Sequence, residues 1–338
     1  MKAALYRGKK SISIIDIPKP IPGKGEVLVK IKYAGICGSD LEFYKTGLWP
    51  TECVLGHEIT GSVAEVGKEI KKWKIGDRVT IDVTLNCGEC YFCKRGFENL
   101  CERSYEGIGV GRNGGFAEYM LVKEHNLIKL PDTIPDKHGT IFDQIGTPLQ
   151  ALSISNFIAG DSAVVLGLGT LGQFTLQCLK IAGASSIVVV EKNPYRLEVA
   201  KNFGPDLALD KLSLPRIKRA NKKGVSGADY VFECSGNPRL VNTAIDVVRK
   251  GGTIIQIGLW DKPVEINLLK YVMNQIRIQG VLGTRRKDFE FAIDLVARKM
   301  IDPDPIITKI ISLDDIVDEG FECGIDPDTK NIKILVEP

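Results

Sequence analysis

The sequence predicts an α/β protein in which a domain with a doubly wound parallel sheet is joined to a β-rich domain. Beyond about residue 160, short apolar runs alternate with helical stretches, which is typical of βαβ units whose sheet is buried on both faces. Before about residue 85, alternating strands such as 26–32 are punctuated by proline and glycine. A length of 338 residues is sufficient for two domains.

The parallel-sheet domain is predicted over residues 154–286. Its strands are the apolar runs at 162–166, 187–190, 230–232 and 253–257. The helical stretches between them lie at 172–182, 194–203 and 238–249. Strand alternating with helix in this way favours a parallel sheet.

The β-rich domain is predicted to be discontinuous, over residues 1–153 and 287–338. Its second segment has a helical stretch at 288–300 and strands at 306–311 and 332–336. A cysteine-rich lobe near 86–102 interrupts the first segment. We expect the active site to lie in the cleft between the two domains.

The composition excludes several classes of function. A net charge of +3 gives no reason to expect nucleic acid or an anionic membrane as a partner. The sequence contains no run of about 18 apolar residues that would cross a bilayer. The first residues lack the apolar core of a secretion signal, so nine cysteines indicate a reducing compartment. We therefore expect a cytoplasmic protein.

Four cysteines with the spacing C-x2-C-x2-C-x7-C carry the strongest chemical signal: Cys87, Cys90, Cys93 and Cys101. Four thiolates can surround one zinc ion tetrahedrally, and one short loop can supply all of them. Unrelated buried thiols or a pair of disulfides are the alternatives. Because four thiolates leave no coordination position open, this zinc would be structural.

A glycine-rich turn follows the run at 162–166 and opens a helical stretch. Gly167, Gly169 and Gly172 match G-x-G-x-x-G, with Thr170 and Leu171 as the intervening residues at the helix start. In this context the glycines permit a tight turn and close approach of a pyrophosphate, which the helix N-terminus would bind. The turn therefore predicts a dinucleotide cofactor.

The choice between NAD and NADP depends on the residues after the second apolar run. Glu191 ends that run, where an acid binds both ribose hydroxyls of NAD and repels the extra phosphate of NADP. Lys192 and Arg196 are close enough in sequence to offset part of this repulsion. The sequence thus favours NAD and leaves NADP possible.

A second candidate metal site has a different composition. Cys37 is followed by Gly-Ser-Asp, and His57 is followed directly by Glu58. A thiolate, an imidazole and a carboxylate together are typical of a catalytic zinc, which keeps one position free for water or substrate. Taken singly, each of these residues is more often structural.

These motifs together resemble one known family. The zinc-alcohol-dehydrogenase signature G-H-E-x2-G-x5-[GA]-x2-[IVSAC] is matched at every fixed position by Gly56, His57, Glu58, Gly61, Gly67 and Ile70. The stretches 37–40, 76–79, 115–119 and 233–236 add to the likeness, which extends over essentially the whole chain. The chain resembles the zinc-dependent medium-chain alcohol dehydrogenases, and most of all their branch of sorbitol, threonine and sugar dehydrogenases.

The resemblance implies a Rossmann domain, a GroES-like catalytic domain and two zinc ions per chain. The catalytic zinc would be bound by Cys37, His57 and an acid from a later segment, at the position of Asp143 here. Glu58 is expected to be a further ligand, although the corresponding acid of family members binds the metal in some states and lies just behind the ligands in others. The cysteine lobe matches the family's structural zinc site. The resemblance also suggests a homotetramer or homodimer.

The resemblance further implies a role for Ser39 as the first hydroxyl of a proton relay. Two positions depart from the family pattern: Gln144 replaces a proline beside Asp143, and Glu42 replaces a relay histidine. Three roles remain open for Glu42, namely carrying the proton, contacting substrate hydroxyls and simply being solvated.

We therefore expect reversible hydride transfer between NAD and a secondary alcohol, polyol, sugar or threonine-like substrate. One alternative is a zinc-free NAD(P)H reductase of the same fold that acts on quinones or activated alkenes. The other is a non-catalytic NAD-binding regulator.

Overall fold

The computed structural model describes residues 1–49, 51–103, 107–221, 224–260 and 262–338. The chain divides into two compact units. The first contains Met1–Asp143 and Arg285–Pro338, and the second contains Gln144–Thr284. The boundary predicted at 153 falls inside a helix, whereas the division lies near the start of that helix.

The strands are named in chain order. They are β1 (Lys2–Gly8), β2 (Ser11–Asp16), β3 (Glu26–Gly35), β4 (Cys53–Val54), β5 (Glu58–Val66), β6 (Arg78–Ile81), β7 (Gly107–Ile108), β8 (Gly111–Arg112), β9 (Tyr119–Lys123), β10 (Leu127–Lys129), β11 (Ser162–Leu166), β12 (Ser186–Val190), β13 (Leu207–Leu209), β14 (Ala228–Glu233), β15 (Val248–Gln256), β16 (Arg277–Gly280), β17 (Ile307–Ser312) and β18 (Lys333–Glu337).

The helices are also named in chain order. They are α1 (Gly38–Thr46), α2 (Phe142–Ser155), α3 (Thr170–Ile181), α4 (Pro194–Lys201), α5 (Leu214–Ala220), α6 (Leu240–Val247), α7 (Leu268–Met273), α8 (Arg286–Ala297) and α9 (Cys323–Ile325). A π-helical segment, Ile316–Glu322, precedes α9. Short 3₁₀ turns lie at Cys93–Arg95, Glu98–Leu100, Glu124–Asn126 and Asp136–Thr140.

The second unit has the predicted doubly wound architecture. Among its described residues the strand order is β13-β12-β11-β14-β15-β16, and all neighbouring strands are parallel. This order is that of a Rossmann sheet. Val164 and Val231 pack into the core on one face, while Val165 and Phe232 pack into the core on the other. Successive residues of a strand point to opposite faces, so both faces must be covered.

The apolar runs predicted as strands correspond to β11, β12, β14 and β15. The helical stretch predicted at 238–249 ends earlier, because α6 stops at Val247 and β15 begins with Val248, which pairs with Ala228. The sequence pattern did not indicate the edge strands β13 and β16. The first has only three residues, and every residue of the second is exposed, so neither has the apolar run of a buried strand.

The first unit is built around an antiparallel sheet. In the described part of the chain its order is β10-β6-β5-β3-β18-β17, with β9 also pairing with β3. Within this sheet β17 and β18 pair in parallel, while the other pairs among the described strands are antiparallel. The C-terminal strand β18 lies next to β3 and forms antiparallel pairs with it, including Leu335 with Gly35. The returning segment of the chain therefore completes the sheet that the N-terminal segment begins.

The core of the first unit is formed by side chains from both of its segments. Tyr6, Val29 and Phe116 come from the N-terminal segment, and Phe321 and Val336 come from the returning segment. None of the helices in the described ranges has the length and apolar content needed to span a bilayer.

Candidate active site and metal centres

Three potential metal ligands meet in the first unit, where the end of β3 lies beside the start of β5. Cys37 lies between β3 and α1, His57 immediately precedes β5, and Glu58 is the first residue of β5. Glu58 pairs with Gly35, the last residue of β3. Antiparallel neighbours thus bring the end of one strand to the start of the next. The ligand atoms of Cys37, His57 and Glu58 all lie within 4.8 Å of one another.

Asp40 connects two of these ligands and is completely buried. Its Oδ2 accepts a hydrogen bond from the backbone N–H of Cys37 at 2.9 Å. Its Oδ1 lies 3.5 Å from Nδ1 of His57. Within the described ranges, Oδ1 of Asp40 and Nδ1 of His57 are both buried, and neither has a hydrogen-bond partner of good geometry. A histidine that faces a carboxylate through one nitrogen presents the other nitrogen to a metal, as metal-binding histidines commonly do.

The electrostatic environment of His57 favours positive charge. Burial lowers the pKa of the imidazole, but the charges of Asp40 and Cys37 outweigh it and raise this pKa well above its usual value. A divalent cation at the same place would satisfy the same negative charges. The three ligands therefore fit a metal ion.

Glu58 is also part of a buried ion pair. Nζ of Lys333 lies 2.7 Å from Oε1 and 2.6 Å from Oε2 of Glu58, and it also donates to the carbonyl of Ile36 at 2.9 Å. The side chains of Lys333 and Glu58 are 2% and 0% exposed. Lys333 is the first residue of β18, so the C-terminal strand supplies the counter-ion of a candidate ligand.

The Glu58 carboxylate requires a glycine at position 35. A Cβ atom on Gly35 would lie 2.0 Å from Oε2 of Glu58, well inside van der Waals contact. Gly35 also pairs with Glu58 in the sheet. The absence of a side chain at this position therefore makes room for the ion pair.

The four cysteines of the lobe form a second, separate group. Cys87, Cys90, Cys93 and Cys101 are free thiols with all sulfur atoms within 4.8 Å of one another. The Sγ–Sγ distances are 3.5 Å for Cys90 to Cys93, 3.9 Å for Cys87 to Cys93 and 4.0 Å for Cys90 to Cys101. Four thiolates bound tetrahedrally to zinc at about 2.3 Å would be separated by about 3.8 Å. These three distances are close to that separation, so the lobe fits a zinc ion.

The lobe backbone stabilises thiolates. The N–H of Cys90 points to Sγ of Cys87 at 3.3 Å, and the N–H of Cys87 points to Sγ of Cys101 at 3.4 Å. Hydrogen bonds from the backbone N–H groups of Cys93 and Glu102 lower the pKa of Cys90 to about 6. Thiolates are the form that binds metal. Burial and the neighbouring thiols instead raise the pKa of Cys93 to about 12.

The glycine turn of the second unit has the geometry that a dinucleotide needs. Gly167 has a φ of +89°, and a Cβ on it would lie 2.7 Å from Cβ of Ser235. A Cβ on Gly172 would lie 1.9 Å from the carbonyl oxygen of Gly167. Gly169 is the N-cap of α3, and a Cβ there would meet nothing within 4 Å. The first and third glycines thus permit tight packing, while the second leaves open space for a ligand.

Glu191 is held in place by backbone groups. Its Oε2 accepts from the N–H of Leu168 at 2.7 Å, and its Oε1 accepts from the N–H of Asn193 at 2.8 Å. The first of these bonds connects Glu191 directly to the glycine turn. Arg196 lies in the first turn of α4, where its N–H donates to Oδ1 of Asn193 at 3.1 Å. Thr170 and Leu171 are the first two residues of α3.

The remaining predicted site residues lie on α1 and α2. Ser39 is half-buried in the first turn of α1. Glu42 is exposed on the same helix and lies 3.8 Å from Nζ of Lys45. Asp143 is half-buried at the second position of α2 and is not a member of the group formed by Cys37, His57 and Glu58.

Comparisons with known proteins give two family matches. Residues 23–132 match the alcohol dehydrogenase GroES-like domain, and residues 170–298 match the zinc-binding dehydrogenase domain. An L-threonine 3-dehydrogenase of Shewanella baltica (strain OS185) is 32% identical over 331 residues, which are 96% of each chain. The chain belongs to the zinc-dependent medium-chain alcohol dehydrogenase family.

Solved structures of other members have the same fold. The 2R,3R-butanediol dehydrogenase of Bacillus subtilis superposes with a TM-score of 0.89 and is 31% identical, over 100% of this chain and 99% of that one. An alcohol dehydrogenase (rspB) of E. coli CFT073, complexed with NADH, gives a TM-score of 0.91 at 27% identity with the same coverage. The predicted combination of a Rossmann domain with a GroES-like domain, and the prediction of an oxidoreductase, are thereby confirmed.

Sequence reasoning missed two residues that support the metal ligands of this dehydrogenase. Asp40 lies in the motif that contains Cys37, but nothing in its spacing indicates that it also faces His57. Lys333 gave a clearer signal, because it is a charged residue within a strand whose other residues up to Val336 are apolar. A charge in a buried strand needs a partner, although the pattern does not say which.

Different consequences are expected from losing a ligand of each group. Cys90→Ser should lower the free energy of unfolding by about 4 kcal/mol, because loss of a structural metal is among the few changes with so large an effect. Cys37→Ser should remain folded but lose at least about a thousandfold in kcat/KM, equivalent to about 4 kcal/mol in the barrier. Urea unfolding and NADH absorbance measure the two effects.

Cys323→Ser serves as the matched control, because Cys323 is half-buried and belongs to neither group. This variant should leave both quantities nearly unchanged. If Cys90→Ser abolished turnover while its stability equalled that of the wild type, the division between a structural and a reacting group would be wrong.

The buried ion pair predicts a second result. Lys333→Met should destabilise the protein by about 3–5 kcal/mol, because it leaves the Glu58 carboxylate buried without its cation. The double variant Glu58→Gln/Lys333→Met should recover much of this loss, since no buried charge remains. Urea unfolding of these two variants and of the Glu58→Gln single variant, each compared with the wild type, gives a complete double-mutant cycle. A Lys333→Met protein as stable as the wild type would contradict the prediction.

Proposed function

We propose that this chain is an NAD-dependent, zinc-containing alcohol or polyol dehydrogenase. It would catalyse the reversible interconversion of a secondary alcohol, polyol, sugar or threonine-like substrate with its carbonyl product. The observation that carries the proposal is the group of half-buried Cys37 with buried His57 and Glu58, which is separate from the four lobe cysteines. A mixed ligand set of this kind suits a reacting metal, whereas four thiolates suit a structural one.

The proposal assigns two zinc ions to each chain. Cys37, His57 and Glu58 would hold the catalytic ion together with Asp143, and the four lobe cysteines would hold the other. When bound, the catalytic zinc supplies Lewis acidity to the substrate oxygen, and the nicotinamide ring accepts or donates the hydride.

The chain's own residues would then orient the ligands and move the proton. Asp40 would hold His57 in one ring orientation, as the 3.5 Å approach of their polar atoms supports. Ser39, two residues after Cys37, would accept the alcohol proton and pass it outward. Glu42 is exposed and close to Lys45, which supports its being a solvated residue rather than a relay member.

The cofactor proposed is NAD. Gly167, Gly169 and Gly172, with Thr170 and Leu171, would bind the pyrophosphate at the start of α3. The carboxylate of Glu191 keeps lone pairs beyond those used by the two backbone N–H groups, and these would accept the ribose hydroxyls. Its negative charge would repel the additional phosphate of NADP. Arg196 would reduce this repulsion, so weaker use of NADP is expected.

The substrate class is supported by two relatives. Threonine and 2R,3R-butanediol, the compounds in the names of the related dehydrogenases, both carry a secondary hydroxyl.

A cytoplasmic location is also proposed, and the four free thiols of the lobe support it because thiol ligands persist in a reducing compartment.

A screen of NADH formation tests the function. The zinc-loaded protein is expected to reduce NAD with at least one compound from a panel of secondary alcohols, polyols, sugars and threonine. The value of kcat/KM should be at least about tenfold lower with NADP, because of Glu191.

Ser39→Ala should lower kcat by a factor of about 10²–10⁴, which is the usual contribution of a positioned proton-transfer group.

Three outcomes of the screen would contradict the proposal. A tenfold preference for NADP would overturn the cofactor choice. Reduction of quinones or alkenes by a protein with about one zinc per chain would indicate the zinc-free reductase. No turnover with two zinc ions bound would favour the non-catalytic regulator.

A homo-oligomer, either a dimer or a tetramer, is also proposed. It is supported by the edge strand β16, all of whose residues are exposed and which pairs on one side with β15. In the described part of the chain, no strand pairs with its other side. Four apolar residues of the preceding helix α7 are also exposed: Leu268, Leu269, Val272 and Met273. An open edge with an apolar patch beside it is suited to a second copy of the same chain.

The assembly is tested on α7. Leu269→Glu combined with Val272→Glu should dissociate the oligomer to monomers in sedimentation velocity, because charge would be buried in the interface. Leu48→Glu is the control, since Leu48 is similarly exposed but lies in the first unit. A wild-type protein that sediments as a monomer would refute the proposed assembly.

A further inference from the structure

Glu233 is a buried carboxylate that pairs with no cation in the described part of the chain. It is the last residue of β14 and is completely buried. Glu58 and Asp229, which are also buried, each have a cationic neighbour, Lys333 and Arg249 respectively. Within the described ranges, Glu233 forms no salt bridge, and its contacts are all with uncharged donors. A buried charge is costly, so this arrangement requires full satisfaction by hydrogen bonds.

Four donors surround the carboxylate. Oε1 accepts from the backbone N–H of Ser235 at 2.9 Å and, through a short contact, from the hydroxyl of the same residue. Oε2 accepts from Nε2 of Gln256 at 2.7 Å and from the N–H of Gly236 at 3.3 Å. Nε2 of Gln256 also donates to the carbonyl of Gly258 at 2.7 Å. The single carboxylate therefore connects the loop after β14 with the end of β15.

The loop held by Glu233 lies against the glycine turn. The N–H of Cys234 donates to the carbonyl of Leu166 at 2.9 Å, at the end of β11. Ser235 occupies the space beside Gly167, because a Cβ atom added to Gly167 would lie 2.7 Å from the Cβ of Ser235. The positions of Ser235 and Gly236 relative to the turn are thus set by the bonds that Glu233 accepts.

The carboxyl ends of parallel strands are where ligands bind in open α/β sheets, and the glycine turn lies at this edge. A loop that is already ordered loses less entropy when it contacts a ligand. We propose that Glu233 is a positioning residue for the dinucleotide, which acts by holding the loop 234–236 against the glycine turn. The inference rests on the proposed use of a dinucleotide cofactor.

The opposite end of the same strand provides a matched control. Asp229 is also buried and also accepts from a backbone N–H and a hydroxyl, those of Ser162, at 2.8 Å and 2.7 Å. It accepts from Nε of Arg249 at 2.6 Å as well. Asp229 lies near the amino end of β14, away from the edge that carries the glycine turn. Loss of its charge should therefore affect stability alone.

The test compares Glu233→Gln with Asp229→Asn in the zinc-loaded, full-length protein. The amide introduced by Glu233→Gln has one oxygen and one NH2 group where the carboxylate has two oxygens. Whichever way the amide is turned, its NH2 group faces an N–H donor, that of Ser235 or that of Gln256, and one hydrogen bond is lost. NADH binding is measured by fluorescence titration, and thermal unfolding is measured on the same samples. Glu233→Gln should raise the Kd for NADH about tenfold and raise KM for NAD similarly, with kcat within about twofold. Asp229→Asn should lower Tm, with Kd within about twofold of the wild-type value.

Milder variants keep the test valid if Glu233→Gln does not fold. Ser235→Ala removes one donor and retains the backbone N–H, and Gln256→Leu removes the side-chain donor from β15. Each should raise the Kd for NADH about threefold. A further control, Ser162→Ala, removes the corresponding hydroxyl beside Asp229 and should leave the Kd unchanged.

Two results overturn the inference while leaving the proposed function standing. In the first, the wild type binds NADH and the variants around Glu233 bind it equally well. In the second, variants at both ends of β14 weaken binding alike, which would indicate a general loss of stability. If the wild-type protein bound neither NADH nor NADPH, the proposed function itself would fail.

Discussion

The buried ion pair between Lys333 and Glu58 is the interaction on which the arrangement of the metal-binding edge depends. It connects the first residue of the C-terminal strand to the first residue of β5, next to His57. A buried charge is costly unless it is paired or fully hydrogen-bonded, and here each of the two side chains supplies the opposite charge for the other. The pair also requires Gly35 to lack a side chain. Strand pairing and electrostatics therefore support the same placement of Glu58.

The two clusters of potential ligands differ in how the chain assembles them. The lobe cysteines come from one loop, and its backbone N–H groups point to their sulfur atoms. Cys37, His57 and Glu58 come instead from the ends of neighbouring strands. Asp40 bonds to Cys37 and faces His57, and Lys333 neutralises Glu58. A closed shell of identical ligands needs only a suitable loop. A mixed site with room for a substrate needs a rigid frame and charged neighbours.

The second unit has a corresponding difference between the two ends of one strand. At the amino end of β14, Asp229 is neutralised by Arg249, as is usual for a buried charge. At the carboxyl end, Glu233 is satisfied by neutral donors from the surrounding loops. The polarity of a parallel sheet gives these ends different roles, because the ligand-binding edge lies at the carboxyl ends. Stability and ligand binding are thus served by similar carboxylates at opposite ends of the same strand.

The sequence by itself determined the features that are contained in short segments. The spacing of the four cysteines predicted a thiol cluster, the glycine turn at 167–172 predicted the start of α3, and the apolar runs predicted four of the central strands. These predictions succeed because the interacting groups are neighbours in the chain. Only the tertiary structure decided that Lys333 neutralises Glu58, 275 residues away, and that Asp40 faces His57. It also decided that Glu233 holds the loop beside Gly167. Such contacts depend on which strands become neighbours, which no local pattern of residues encodes.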